Sequence, residues 1–287
     1  MAISYYNSFS WSMKRREMLQ RCPAEYFYHY YGAAGGAFAN TFTRRSEKLH
    51  LLRSLLDTEM YVKTLVYTGL RTLFNSGASA PGAFSAALLE KFSGEFRDML
   101  LGKPEQDHKR PLLQELVSTK VSPADLAKKV TARLKEEAGN IEENLLPELL
   151  NVPSASRCQL PFPLKISWNN LECYVTPLAA WQNGGTFNVL CSGTENEENS
   201  ALLHFFALEK FQTPPEKVKI FHLVSGRLSA AEKNFSASGA FRRIRQDSDR
   251  MLFLELQLKS GVPDDRIFPR QHEMCGSCRF RSFCFSN

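Results

Sequence analysis

The sequence predicts a mixed α/β fold in which a long helical region precedes a small β-rich core. Three observations predict it. Between 45 and 75, apolar residues recur at helical spacing (Leu49, Leu52, Leu55, Leu56, then Tyr61, Leu65, Leu70, Leu73), the pattern of helices laid on a core. Leu164–Trp168, Cys173–Trp181 and Thr186–Cys191 are short, apolar and β-prone, and they are separated by Asn169-Asn170 and by Asn183-Gly184-Gly185, both hairpin turn signals. Residues 198–211 then carry helical spacing, Pro214-Pro215 resets the chain, and Val218–Val224 reads as a fourth strand. The first three strands are expected to be antiparallel, and the fourth, arriving through a helical crossover, to lie parallel to a neighbour.

The remaining elements follow from local signals. Residues 10–22 read as one short helix that Ser10 or Ser12 caps and Pro23 stops. An aromatic run follows (Tyr26, Phe27, Tyr28, Tyr30, Tyr31), broken by Gly32, Gly35 and Gly36. Asn75 to Pro81 is a Ser/Gly/Ala loop; 82–150 alternates helical segments with charged connections, and Ser122-Pro123-Ala124-Asp125 marks a helix start. Residues 151–161, with Pro153 and Pro161, read as a linker, and a last helix over roughly 247–259 ends at Gly261. Five segments result: 1–44 with the N-terminal helix, 45–81 with core helices, 82–150 as an all-helical insertion, 151–261 as the β-core, and 262–287 as a cysteine-bearing terminus.

The composition, 43% hydrophobic and 23% charged over 287 residues, is that of a globular protein, and no apolar run approaches the roughly 18–20 residues that span a bilayer. The N-terminus places aromatic and polar residues ahead of its basic cluster, the wrong order for a secretory signal, so a cytoplasmic location is expected. Net charge is +6, which permits a polyanionic partner without requiring one. The basic residues concentrate at the two ends: Lys14, Arg15, Arg16 and Arg21, then Arg242, Arg243, Arg245, Arg270, Arg279 and Arg281. If those ends meet, they build one positive face, although for any single arginine a solvated surface role is the simpler reading.

Seven cysteines, an odd number, argue against a disulfide framework in an intracellular chain. Cys275-x2-Cys278-x5-Cys284 places three thiols in one compact loop, where two intervening residues let the first pair face one metal. The fourth ligand must come from elsewhere, with Cys22 the obvious candidate and His272 its rival. Four cysteines suit tetrahedral zinc or a 4Fe–4S cluster. Cys158, Cys173 and Cys191 lie in or beside apolar strands and read as core residues.

At this point the sequence resembles the RecB-type PD-(D/E)XK nucleases that carry an iron–sulfur cluster, such as the AddB nuclease domain and the RecB-like exonuclease of CRISPR adaptation. One cysteine follows an N-terminal helix as C-P-x-x-(Y/F)-x-x-x-Y, here Cys22-Pro23-Ala24-Glu25-Tyr26-Phe27-Tyr28-His29-Tyr30, and the other three close the chain as C-x2-C-x5-C after Phe268-Pro269. The resemblance covers almost the whole chain. It implies a restriction-endonuclease-like αβββαβ core and a 4Fe–4S cluster, rather than zinc, on Cys22, Cys275, Cys278 and Cys284, tying the chain ends together.

The resemblance also identifies the catalytic positions, and here they are degenerate. Where the family helix carries a histidine, this chain has Tyr67; where the second strand carries a metal-binding aspartate, it has Thr176; the acid and lysine of the third strand are Val189 and Cys191. Phosphodiester hydrolysis in this family needs carboxylates to hold a hard divalent cation that activates water, and these side chains supply no anionic oxygen. Residues 163–193 contain no aspartate and only one lysine, Lys165, so shifting the alignment cannot restore the motif. Glu172, Glu195, Glu197 and Glu198 are the acids that would have to substitute, though solvated loop carboxylates are their simpler reading.

The expected function is therefore that of a non-catalytic DNA-binding or scaffolding subunit in a defence, CRISPR or repair complex, without catalytic Mg²⁺ or Mn²⁺. The expected partners are single-stranded DNA or duplex ends and a protein such as a helicase or nuclease. Lys14, Arg15, Arg16, Arg242, Arg243, Arg245, Arg279 and Arg281 are the candidate phosphate contacts. Tyr28, Tyr30 and Tyr31 are candidates for base stacking, with core packing favoured for at least half of them. Two alternatives remain: an active single-stranded DNA exonuclease with a relocated site, and a protein-interaction module that docks through 82–150 and binds no nucleic acid.

Overall fold

The computed structural model describes residues 9–32, 44–76, 82–106, 110–117, 121–192, 196–224, 227–230, 236–276 and 278–285. The chain opens with strand β1 (Ser10–Ser12), followed by α1 (Met13–Arg21) and α2 (Pro23–Tyr30). Ser12 caps α1 by accepting from the Arg15 N–H at 3.3 Å. The single helix expected over 10–22 is thus corrected at its start: Ser10–Ser12 extends because it pairs in parallel with the strand at 171–175. It ends at Arg21, before Pro23 as expected, and Pro23 also starts the next helix, since at the first helical position its missing N–H costs nothing.

Helices α3 (Arg44–Ser54) and α4 (Thr58–Ser76) flank the two-residue strand β2 (Leu55–Leu56). Beyond them lie α5 (Ala83–Leu100), α6 (Lys103–Gln106), β3 (Leu112–Leu113), α7 (Gln114–Val117), α8 (Pro123–Asn144) and α9 (Leu146–Leu150). The segment 82–150 is not wholly helical: β3 pairs in parallel with β2, which ties it to the core helices. Ser122 starts α8 as expected, accepting from the Asp125 N–H at 3.1 Å. Leu126, Val130, Leu134, Ala138 and Ile141 line one buried stripe of α8. Gly69 of α4 makes room for α5, because a Cβ there would stand 2.6 Å from Leu88 Cδ2.

The β-rich part holds β4 (Leu164–Trp168), β5 (Leu171–Val175), β6 (Pro177–Asn183) and β7 (Thr186–Ser192), then α10 (Glu197–Phe211), β8 (Val218–Val224) and β9 (Arg227–Ala230). It is followed by α11 (Ala237–Lys259), α12 (Asp264–Ile267) and α13 (Arg281–Phe285). Both turn signals are realised with left-handed residues, Asn169 and Asn170 at φ 45° and 62°, Gly184 and Gly185 at φ 55° and 76°.

The expected run of three strands in one sheet is corrected. The middle segment breaks at Thr176-Pro177 into β5 and β6, so β1-β5-β4 and β6-β7-β8-β9 are separate sheets. A proline entering a strand has no N–H to continue a ladder. The crossover holds: β8 pairs in parallel with β7 after α10. Strand β9 was not anticipated, and α11 begins ten residues before the expected 247, with Ser236 as its cap.

Two apolar cores result. The first gathers α2, α4, α5 and α8 with Leu178, Leu190 and Leu223 of the larger sheet and Phe268, Phe280 and Phe283 near the C-terminus. The second holds Trp11, the inner faces of β4 and β5, Phe187, Val189 and Cys191 of β7, and Leu202 and Leu203 of α10. Segment 82–150 therefore shares its core with the rest of the molecule. Leu134→Ala is expected to cost about 2–5 kcal/mol and to shift one cooperative denaturant transition for the whole chain, read by circular dichroism. A separate early transition, with the remainder unmoved, would identify 82–150 as an independent unit.

Candidate metal centre and basic cluster

The two chain ends meet through aromatic rings. Phe27 stacks on Phe268 at 5.1 Å between centroids, Tyr28 meets Phe283 edge-on at 5.4 Å, and Tyr28 lies 5.9 Å from Phe280. This contact brings Cys22, at the junction of α1 and α2, to the C-terminal loop. Cys22, Cys275, Cys278 and Cys284 line one small cavity together with Glu25, Tyr28, Arg270 and Arg281. Cys22 and Cys284 are buried, Cys275 and Cys278 half-buried, and all four are free thiols. A tight turn, in which the Cys278 N–H donates to the Cys275 carbonyl at 3.4 Å, sets the first pair. His272 is exposed and does not line the cavity.

Among the described residues no three His, Cys, Asp or Glu side chains are grouped to hold one metal ion. The Cys278 thiol is pushed up to about 11, first by burial and then by Glu25, Cys22 and Cys275 nearby, so it is protonated at neutral pH until a cation compensates. Four thiols lining one cavity are the donor set of a thiolate-bound group.

The positions matched to the nuclease catalytic residues do not form a site. Val189 and Cys191 point into the second core, where burial pushes Cys191 up to about 12. Cys173 is likewise buried and pushed up to about 12 by burial. Tyr67 packs against the first core, where burial raises it while Lys63 and Glu137 act on it electrostatically. Thr176 is exposed at the break between β5 and β6, next to Pro177, which pairs with Cys191. The substitute acids are engaged elsewhere: Glu172 pairs with Lys165, Glu197 with Arg243, and buried Glu198 with Arg243 and, at 2.7 Å, Arg16. Glu195 lies outside the described residues.

The candidate phosphate contacts divide sharply. Arg16 is held by Glu198 and Asp247, Arg243 by Glu197 and Glu198, and Arg245 by Asp249 at 3.1 Å. The pairs of Arg16 and Arg243 brace α1, α10 and α11 against one another, whereas Arg245–Asp249 is an exposed pair one turn apart within α11. Arg242 and Arg281 are exposed at the surface. Lys14, Arg15 and Arg279 have no carboxylate partner among the described residues, and Arg53, which the sequence did not single out, joins them. Arg15 caps the Tyr30 ring at 4.3 Å and donates to the Ser10 carbonyl at 2.8 Å. Arg279 donates to the carbonyls of Arg53 at 3.1 Å and Leu55 at 2.8 Å. Of the three tyrosines proposed for stacking, Tyr28 is core, Tyr30 lies under Arg15, and Tyr31 donates to Glu255 at 3.3 Å. The signal for Arg53 was weak: one arginine on an amphipathic helix far in sequence from either basic end.

No protein-family model, curated protein or solved structure matches the chain. No helix among the described residues is long and apolar enough to cross a membrane.

At the base of the basic cluster, His29 is buried, and its Nδ1 has no hydrogen-bond partner among the described residues. Burial first, then Arg53, Lys14, Arg279 and Arg15, lower its pKa from 6.5 to about 2. The unfolded chain therefore takes up a proton here near 6.5 that the folded chain refuses, so stability rises with pH between those values and is lost as pH falls. Relative to His29→Gln, the unfolding free energy of the parent is expected to fall by up to about 1.4 kcal/mol per pH unit below ~6.5, measured by urea titrations from pH 7 to 5. Equal slopes in both proteins would place His29 in contact with water.

Proposed function

We propose that this chain is a catalytically silent protein of the RecB-type PD-(D/E)XK fold that binds DNA and works with a protein partner such as a helicase or nuclease in a defence, CRISPR or repair complex. The observation that carries the reading is the cavity that Cys22, from one end of the chain, shares with Cys275, Cys278 and Cys284 from the other. On this reading those four residues hold a 4Fe–4S cluster, with zinc the alternative. A cluster bound there supplies iron–thiolate bonds that cross-link the chain ends. The preference for the cluster over zinc rests on the resemblance carried by Cys22-Pro23 and by the Cys275-x2-Cys278-x5-Cys284 spacing.

The order of elements also supports the reading. A helix laid on the sheet (α4), then β4, the β5–β6 run that Pro177 divides between two sheets, β7, a crossover helix and a parallel β8 follow the order αβββαβ, with α5 to α9 inserted after the first helix. The chemistry of cleavage does not. Val189 and Cys191 belong to an apolar core, and the acids that could replace the lost ones are neutralised by Lys165, Arg16 and Arg243. A divalent cation would have to displace those partners before it found a carboxylate. DNA contact falls to Lys14, Arg15, Arg53, Arg279, Arg242 and Arg281, which are not committed to acids.

Anaerobically purified protein is expected to be brown, with a broad band near ~400 nm from iron–thiolate ligation, and Cys22→Ser and Cys284→Ser are each expected to bleach it. A colourless protein carrying stoichiometric zinc selects the other metal, and one with neither removes the family reading. Single-stranded DNA is expected to bind with an affinity that falls steeply with salt, by a log–log slope of about −0.7 per phosphate contacted, and to remain uncut in Mg²⁺ or Mn²⁺. Cleavage abolished by Glu172→Gln would show a relocated active site; no binding at any salt would leave a protein-interaction module.

A further inference from the structure

The basic residues at the meeting of the chain ends are arranged differently from those that brace α1, α10 and α11. Arg16, Arg21, Arg243 and Arg245 are each matched to a carboxylate, Arg21 to Glu25 at 2.6 Å. Lys14 and Arg15 from α1, Arg53 from the end of α3 and Arg279 from the C-terminal turn are not. They are nevertheless close enough to act on one another: Arg279, Arg53 and Arg21 all depress Lys14, after burial as the main cause. Lys14 and Arg53 remain open to solvent while the surrounding protein displaces much of their water. The acids within reach are Glu25, already bound twice to Arg21, and Asp57, which accepts the Met60 N–H at 2.7 Å to start α4.

Folding that gathers four like charges costs free energy, and hydrogen bonds hold at least two of them in place. Arg279 is fixed by the carbonyls of Arg53 and Leu55, and Arg15 by Ser10 and the Tyr30 ring. All four act on His29, nine-tenths buried, whose Nδ1 has no hydrogen-bond partner among the described residues. An orphaned buried nitrogen beside unpaired cations points to an absent acceptor. An oxyanion is the acceptor that meets both needs, taking charge-assisted bonds from Arg and Lys together with a neutral N–H from imidazole.

We propose that Lys14, Arg15, Arg53 and Arg279 form a cradle for a phosphate monoester, with His29 at its base. Four cations exceed what the single charge of a phosphodiester balances, whereas a monoester carries about −1.5 to −2 at neutral pH. On the DNA-binding reading above, on which this step rests, the occupant is the terminal phosphate of a strand. The same chemistry could arrive as free phosphate or a nucleotide, and the experiment separates these sources.

Fluorescence anisotropy with the full chain would compare one single-stranded oligonucleotide bearing a 5′-phosphate, a 3′-phosphate or only hydroxyl ends. A phosphorylated end is expected to bind about tenfold tighter, and Lys14→Gln combined with Arg53→Gln to abolish that preference while binding of the hydroxyl-ended strand weakens only about threefold. Both positions face solvent, so the double variant should fold, and its thermal midpoint verifies this. Arg242→Gln, outside the cradle, is expected to retain the end preference. If hydroxyl-ended and phosphorylated strands bind alike, the strand-end assignment is overturned while DNA binding stands. If no strand binds, the DNA reading fails and inorganic phosphate decides. A millimolar thermal stabilisation seen in the parent and lost in the double variant supports a site for a free monoester, and no stabilisation in either overturns the cradle.

Discussion

The fold depends on one contact, the packing of the aromatic face of α2 against the residues that follow α12. Tyr26, Phe268 and Phe280 are almost entirely buried, and Phe27, Tyr28 and Phe283 complete the set. Aromatic pairs at these separations add about 0.5–1.5 kcal/mol each to what their buried area contributes. Several together are enough to hold a chain end that carries only short helices of its own. Everything distinctive about the molecule follows from that contact. It closes the cysteine cavity, because Cys22 sits one residue before α2 and Cys278 two residues before Phe280. It also carries Arg279 to the end of α3, where its guanidinium replaces the missing helical partners of two carbonyls.

The same contact explains why charge is sorted as it is. The N-terminal strand and helix reach in two directions. Through Trp11 they enter the second core, and through Arg16 they clasp Glu198 and Asp247. A buried carboxylate such as Glu198 is tolerable only with cationic partners, and Arg16 and Arg243 provide them, holding it below the usual carboxylate range despite the opposing effect of burial. The basic residues facing α10 and α11 are thus consumed as structure. Those on the other side of α1 face the C-terminal turn, where acids are scarce, and they keep their charge available.

Much of this was legible in the sequence, and the failures have identifiable causes. Ser12, Ser122, the two hairpin turns and the crossover to Val218 were readable because each rests on one local rule. The split of the expected middle strand at Pro177 was written in the sequence but outweighed by the apolar run around it. Ser10–Ser12 looked like a helix start because Ser12 is one; only a tertiary pairing with β5 makes the preceding residues a strand. The first half of α11 carries serines, a glycine and arginines, so its apolar stripe of Ala240, Ile244 and Met251 is sparse. Spacing marked Cys275, Cys278 and Cys284, while Cys22 was the fourth candidate beside His272, and only the fold shows which of the two lines the same cavity. The division of the arginines into paired and unpaired was not, since it depends on which acids another element brings, and Arg53 entered the cluster only through the position of α3.

Loss of catalytic groups, on the nuclease-fold reading, has also been absorbed into the packing. Val189 is fully buried and Cys191 nearly so, in a core that includes Phe187 of the same strand face and Leu202 and Leu203 of α10. A carboxylate and an ammonium at those positions would each cost several kcal/mol of desolvation unless they met each other, water or a cation. An active site tolerates that cost because it is open to solvent and metal. Val189 and Cys191 instead leave this part of the core dry and apolar. Restoring the two side chains would therefore place charges in a dry core before it produced a metal site, and the acids nearest the surface are already bound to Lys165, Arg16 and Arg243. Among the described residues, Lys14, Arg15, Arg53 and Arg279 around His29 keep their charge without a carboxylate partner, outside this sheet core.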